Sequence, residues 1–292
     1  MVQPLPPREA AIVRHAAALR LTPSERAVEA DVDALRDRLA ASPDRVEVVD
    51  YGAGTRGGAR PPTRAVAEIY RRAATGPAWG RFLFGLARAL RPARVLELGT
   101  NLGVGAAHLA AALALNDEEA GATAVGAGRL VTLEGAPALA ERAERALAGL
   151  GHGDRVRVVV GPFAETLAGV ADAEGPFDLV FVDGHHEAAA ALAYVETLGP
   201  RLSDGALVVL DDVEPGRPVR RAWRALRAGA VPALADGPTF YAGRYGLLFR
   251  PAPDHASGLG RGGGTQGAVA ALARETPPPS NEPAAASPDP RA

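Results

Sequence analysis

Two stretches of this chain gather side chains that could do acid–base or metal chemistry. The first closes an apolar run as Phe177-Asp178-Leu179-Val180-Phe181-Val182-Asp183-Gly184-His185-His186. The second closes a similar run as Ala206-Leu207-Val208-Val209-Leu210-Asp211-Asp212. Continuous Val/Leu runs of this length read as strands covered on both faces, which sets Asp183, Asp211 and Asp212 at strand tips. Carboxylates brought together there repel unless a cation or a shared proton offsets their charge. An oxygen-rich set of this kind suits Mg²⁺, which keeps several of its waters. The plain alternative is that Asp211 or Asp212 caps a loop and no metal binds. Next to Asp183, His185 and His186 carry imidazoles that can accept a proton. They could equally do no more than hydrogen-bond the loop backbone.

What the chain lacks narrows the chemistry further. It has no cysteine and no lysine, so all 32 of its basic residues are arginine. Thiolate nucleophiles, disulfides and Cys-based metal sites are excluded. Arginine holds anions but is a poor general base, so a proton acceptor has to be His, Asp, Glu or Tyr. With a formal net charge of −2, no global field favours nucleic acid or an anionic membrane, and neither is expected as a partner. Arg217, Arg220, Arg221, Arg224 and Arg227 form one basic helix face, which reads as solvated. Arg8, Arg14 and His15 interrupt the first apolar stretch, and no run is long enough to span a bilayer. A soluble, cytoplasmic protein is expected.

A glycine-rich turn follows another apolar run in Val95-Leu96-Glu97-Leu98-Gly99-Thr100-Asn101-Leu102-Gly103-Val104-Gly105. Such glycines let the backbone approach a ligand and aim amides at it from a helix start. The dinucleotide spacing G-x-G-x-x-G fails here, because Asn101 stands where the second glycine belongs. Starting the frame at Gly103 instead puts His108 at the third glycine. A tight turn without a ligand is the bland reading. Further on, Val131-Thr132-Leu133-Glu134-Gly135 ends a strand on a carboxylate, which can accept both hydroxyls of a ribose.

These residues need a scaffold that brings strand tips together. Strands are expected at Val95–Leu98, Leu130–Leu133, Val156–Val160, Leu179–Val182, Ala206–Leu210 and Tyr245–Phe249. Ala-rich helices fall between them, near 104–115, 136–150, 164–172, 187–199 and 217–228. Repeated βα units imply a parallel, doubly wound sheet whose ligand sits at the carboxyl ends of its strands. Ahead of them, Thr22-Pro23-Ser24-Glu25 reads as a capping box, and Val28, Val32, Leu35 and Leu39 follow at helical spacing. An extended piece at Val46–Tyr51 leads into the glycine-rich stretch Gly52–Gly58. Helix is then expected over Thr63–Leu90, broken near Gly76-Pro77. Past Arg250 the Pro, Gly, Ser and Ala content cannot offset ordering entropy, so 251–292 is expected to be disordered, with a helical turn near Ala268–Arg274 as an exception. The chain therefore divides into an N-terminal helical cap and glycine-rich loop (1–60), a main domain (61–250) and the tail.

The pattern Glu-x-Gly-x-x-x-Gly, as Glu97, Gly99 and Gly103, resembles the first motif of class I S-adenosylmethionine-dependent methyltransferases. Asp50-Tyr51-Gly52-Ala53-Gly54, Asp183-Gly184-x-His186, Asp211-Asp212 and Ala222-Trp223 carry the likeness from Asp50 through Phe249. It points toward bacterial small-molecule and catechol-type O-methyltransferases. That resemblance implies a Rossmann-like, doubly wound, mostly parallel seven-stranded sheet with helices on both faces, under an N-terminal helical cap. It implies S-adenosylmethionine as cofactor, with Glu97, Gly99, Thr100, Asn101, Gly103 and Asp183 around its methionine part. Glu134 would take the ribose, and Gly161 and Phe163 would lie at the adenine, where Pro162 stands in place of a polar residue found in many relatives. Asp183, Asp211 and Asp212 would correspond to the family's metal triad, although the relatives' last strand often ends Asp-Asn. Catechol enzymes use a lysine near the reacting hydroxyl, so His186, then His185, is the expected base, with Asp183 beside them. The expected partner is a small-molecule acceptor, Arg56 and Arg60 are candidates for holding an anionic one, and a homodimer is plausible. Competing readings are an NAD-dependent oxidoreductase, and a non-catalytic binding protein that uses the Pro-rich tail for partners.

Overall fold

The computed structural model describes residues 5–49, 63–121 and 127–252. Two helices come first, α1 (Pro7–Ala17) and α2 (Pro23–Ala40), followed by short strands β1 (Arg45–Glu47) and β2 (Thr63–Ala65). Next are α3 (Val66–Ala73), α4 (Pro77–Leu90), β3 (Arg94–Leu98), α5 (Val104–Ala120), β4 (Arg129–Glu134) and α6 (Pro137–Gly149). The remaining elements are β5 (Val156–Val160), α7 (Phe163–Glu174), β6 (Phe177–Val182), α8 (Ala188–Leu198), β7 (Leu202–Leu210), α9 (Val219–Arg227), β8 (Thr239–Ala242) and β9 (Tyr245–Phe249).

The main sheet has seven strands in the order β5-β4-β3-β6-β7-β9-β8. Strands β3 to β7 pair in parallel, and β9 joins β7 antiparallel. The chain builds outward from β3 to β5, then crosses back to lay β6 on the other side of β3. Strand order reverses there, and the carboxyl ends of β3 and β6 open the crevice where doubly wound sheets hold ligands. Alternate strand residues feed two cores. Val95, Leu130, Leu179 and Phe181 face the layer of α1, α2, α4, α5 and α6. Leu96, Leu133, Val180 and Leu210 face the layer of α7, α8 and α9. Two-sided burial is why these strands are continuous in Val, Leu and Phe rather than alternating with polar residues.

At the start of α2, Thr22 Oγ1 accepts from the Glu25 amide at 3.2 Å and Glu25 Oε2 from the Thr22 amide at 2.8 Å, closing the expected capping box. One sequence expectation differs from what is found: Thr63–Ala65 is a strand, paired antiparallel with β1, rather than the first turn of a helix. The seventh strand that the resemblance implies is Thr239–Ala242, a short edge strand paired with β9 that follows no long apolar run. Of the N-terminal helices, α1 packs on α4 and α2 on both α3 and α5. Gly52–Gly58, Arg56, Arg60 and the tail beyond residue 252 lie outside the described residues. Among the described residues no helix is long and apolar enough to cross a membrane.

Candidate functional site

A cleft of about 550 Å³ opens at the carboxyl edge of the sheet, and Gly99, Asn101, Glu134, Phe163, Asp183, His185 and His186 all line it. Beneath it lies a cavity of about 20 Å³ bounded by Thr75, Gly99, Thr100, Asn101, Gly105 and Asp183. The turn after β3 makes both. Gly99 has φ +105°, and a Cβ there would collide with the Asp183 carbonyl, so the position requires glycine. Gly103 opens α5 at φ +82°, leaving the first amides of that helix without helical acceptors. A Cβ on Gly105 would come 2.5 Å from Glu97 Oε1, so this glycine leaves room for the carboxyl, which itself lines neither the cleft nor the small cavity.

Glu134 ties the turn to the tip of β4. Its Oε2 accepts from the Asn101 amide at 2.7 Å and its Oε1 from the Ala136 amide at 2.9 Å. Asn101 is thereby held at φ +50°, and its side-chain oxygen is buried without a partner. Burial raises the Glu134 carboxyl above its ordinary value despite the amides of Ala136, Asn101 and Gly135. Gly161 donates its amide to the Glu134 carbonyl at 2.9 Å, which aligns the turn before α7. Phe163, at the start of α7, meets Tyr194 edge-on with centroids 5.7 Å apart.

Two further carboxyl groups, buried Glu97 and, in the cleft wall, half-buried Asp183, form no ion pair among the described residues. Glu97 is 1% exposed, and its Oε2 accepts from Thr132 Oγ1 at 2.6 Å. That hydroxyl in turn pairs with Thr100 Oγ1 at 2.6 Å, so Thr100 faces inward rather than into the cleft. Burial pushes Glu97 up to about 8, against the Thr132 hydrogen bond and helped by the charge of Glu134. Asp183 is pushed well above the carboxylate range by burial and by the charge of Asp211, to which it hydrogen-bonds. Thr75 Oγ1 reaches Asp183 Oδ2 at 3.5 Å from the other wall.

The tips of β6 and β7 are occupied differently from the sequence expectation. Arg244 donates through Nε and Nη2 to both carboxylate oxygens of Asp211, and its Nη2 lies 3.3 Å from Asp212 Oδ1. Although burial pushes Asp211 upward, the Arg244 bonds hold it below its ordinary value. Asp212 Oδ2 accepts from Arg217 and lies 3.3 Å from His186 Nδ1. The expected divalent-metal triad of Asp183, Asp211 and Asp212 does not fit this arrangement. Guanidinium groups already engage the oxygens of Asp211 and Asp212, and neither residue lines the cleft. Among the described residues no group of three or more His, Cys, Asp or Glu is arranged to hold a metal ion. Asp212 acts instead as the partner of His186, while His185 Nδ1 bonds Tyr194 Oη at 2.7 Å. His185, Asp212 and Asn101 share positive φ values, so three of the strand-tip loops hold residues in the left-handed region.

Thr75, Tyr194 and Arg244 were not singled out from sequence. Gly76-Pro77 marked the break beside Thr75, but nothing local signals that Arg244 turns inward.

Residues 96–213 match a family model described as a methyltransferase domain. A catechol O-methyltransferase of Mycobacterium tuberculosis is 42% identical over 137 residues, 47% of this chain and 56% of that protein. One from Niastella koreensis is 33% identical over 141 residues, 47% of this chain and 57% of that protein. The chain thus spans a little over half the length of these curated relatives. Among solved structures, a cofactor-bound protein from MTB superposes with a TM-score of 0.52 at 28% identity, over 86% of this chain and all of that one (100%). An O-methyltransferase from Bacillus cereus, solved in complex with SAH, gives 0.53 at 20% identity over 82% of this chain and 96% of that one; this likeness speaks for the fold alone.

Proposed function

We propose that this chain is a class I methyltransferase, as its match to a methyltransferase-domain model over residues 96–213 supports, and that it moves the methyl group of S-adenosylmethionine onto a hydroxyl of a small-molecule acceptor. One observation carries the reading: buried Glu97 and, in the cleft wall, Asp183 are carboxyl groups raised above their ordinary values, beside a turn whose glycines leave room for a ligand. A cationic, nucleoside-bearing ligand suits both the charge and the shape.

S-adenosylmethionine supplies, when bound, a methyl group on a positively charged sulfur, open to in-line attack. Free amides at the start of α5 suit the cofactor's carboxylate. Glu97 and Asp183 take its ammonium, and the lone pairs left on Glu134 take the ribose hydroxyls. Phe163 gives the base an apolar wall. His186 accepts the acceptor's proton at Nε2, since Asp212 engages Nδ1 and fixes the ring. Held by these residues, the cofactor would supply its methyl group to the oxygen that His186 deprotonates, with the thioether sulfur as leaving group. Asp212 then stabilises the imidazolium, as a carboxylate behind a catalytic histidine does. Asp211 and Asp212 are engaged by arginines, so no step passes through a divalent cation. The names of the catechol O-methyltransferase relatives favour an aromatic hydroxyl as acceptor. A cytoplasmic location and a homodimer go with this reading.

Calorimetric titration with S-adenosylmethionine, with NAD as control, tests it. One-site micromolar binding of the sulfonium compound alone is expected, followed by methyl ether formation from catechol or a simple phenol. A folded sample that binds NAD and not S-adenosylmethionine overturns the reading.

A further inference from the structure

We propose that the guanidinium of Arg244 fills the position a divalent cation would take among the strand-tip carboxylates, so that this site is organised without a metal. Topology puts the arginine there. Strand β9 runs against β7, with Leu210 opposite Gly246, so the residues that begin β9 arrive beside the residues that end β7. Only an antiparallel neighbour can deliver its first side chain to the carboxyl edge. Gly243 turns the hairpin at φ +74°, and the Val213 amide donates to the Arg244 carbonyl at 3.0 Å, fixing the backbone on both sides of the side chain.

From that anchor the planar fork meets both oxygens of Asp211 and reaches Asp212 at 3.3 Å. Two parallel charge-assisted bonds of this kind match a carboxylate in direction as well as charge. The Asp211 and Asp212 side chains are only 2% and 3% exposed, so water does little to stabilise them and a fixed positive charge is needed. A divalent ion would have to displace the fork and sit against a guanidinium that cannot lose its proton. Arg217 covers the remaining oxygen of Asp212. Arg244 is accordingly a positioning residue: it holds Asp211 and Asp212, and Asp212 holds His186.

This inference takes its catalytic meaning from the methyl-transfer reading, but its test needs no turnover. The full-length wild-type chain is titrated with Mn²⁺, followed by the loss of the free-ion spectroscopic signal, and its melting temperature is compared in millimolar Mg²⁺ and in EDTA. No saturable Mn²⁺ binding and no Mg²⁺ shift are expected. In Arg244→Ser the carboxylates lose their counter-charge, so Mg²⁺ should raise its melting temperature by several degrees, and Arg244→Lys should restore insensitivity. Saturable Mn²⁺ binding to the wild type that Asp211→Asn abolishes would overturn the proposal. So would an Arg244→Ser protein that folds and ignores divalent ions. Should that variant fail to fold, the wild-type titration still decides. Failure to bind S-adenosylmethionine would sink the methyl-transfer reading and leave these metal results standing.

Discussion

His186 Nδ1 lies 3.3 Å from Asp212 Oδ2, on a histidine half exposed to the cleft and an aspartate almost wholly buried. A carboxylate on one ring nitrogen selects the tautomer with its proton on that side and leaves Nε2 as the acceptor. The contact joins the loop after β6 to the tip of β7, so the base is oriented by a neighbouring strand rather than by its own loop. His185, one residue earlier, is turned instead onto Tyr194. The two histidines therefore have different parts, and each can be tested separately.

If His186 is the base, His186→Asn should lower kcat by roughly 10²–10⁴, the range for general-base removal, while calorimetry finds the cofactor affinity unchanged. Asp212→Asn should give a smaller loss of kcat, because the ring loses the carboxylate that orients it. His185→Gln should leave kcat within a few-fold. A His185 variant slower than the His186 variant would reverse the assignment.

Glu97 gives the pH dependence. Its carboxyl is pushed up to about 8 by burial, so the empty folded protein carries it neutral at neutral pH. A cationic ligand gains its full partner only as that proton leaves. Affinity for S-adenosylmethionine should therefore rise as pH climbs toward 8, and Glu97→Gln should remove the rise. Stability runs the other way. The folded state holds this proton more tightly than the unfolded chain, whose ordinary value is 4.5, so stability falls as pH rises from there through about 8. At about pH 8, Glu97→Gln should melt a few degrees higher than the wild type. A variant that melts lower there, or binds with the same pH slope, contradicts this assignment.

Glu134 has two tasks that substitution can separate. Its oxygens hold the Asn101 and Ala136 amides, and in the proposed complex they also hold the ribose. Glu134→Ala should weaken cofactor binding by about 10–100-fold, since hydrogen bonds to charged groups contribute about 1.5–3 kcal/mol each. Glu134→Gln keeps one acceptor oxygen and should recover loop order, seen as restored melting temperature, without recovering full affinity. Equal affinity in Glu134→Ala and the wild type would remove Glu134 from the binding site.

The βα order was legible because two-sided burial forces Val/Leu-rich strands, and each glycine turn fell at a strand end. What sequence could not show was long-range pairing. Thr239–Ala242 is too short and too exposed to announce itself as a strand, since only β9 holds it. Arg244 in a hairpin turn reads like any solvated arginine, and its burial against Asp211 exists only once β9 lies against β7. Without that arginine in view, the carboxylates at the strand tips pointed to a metal. Asp212 accordingly changed part, from ligand to histidine partner. The fixed pattern Glu97-x-Gly99 was readable because turn geometry is local, whereas Thr75 comes from the α3–α4 connection, distant in sequence from Asp183.

The last test concerns the layer that supports the cofactor turn. His108 lies on α5, the helix that starts at the turn, with Nδ1 3.0 Å from Glu29 Oε1 and Nε2 3.1 Å from Arg36 Nη2, both on α2. Burial lowers its pKa, and Nε2 accepts from the Arg36 guanidinium. It fits only because position 80 lacks a side chain: a Cβ on Gly80 would overlap the ring. Gly80→Ala should therefore cost about 1–3 kcal/mol by overpacking, despite the better helix propensity of alanine. Because the strain falls on α5, cofactor affinity should weaken along with stability. Urea unfolding of Gly80→Ala, paired with the calorimetric titration, checks both; an unchanged or raised midpoint would mean that α2 and α5 can part without disturbing the site.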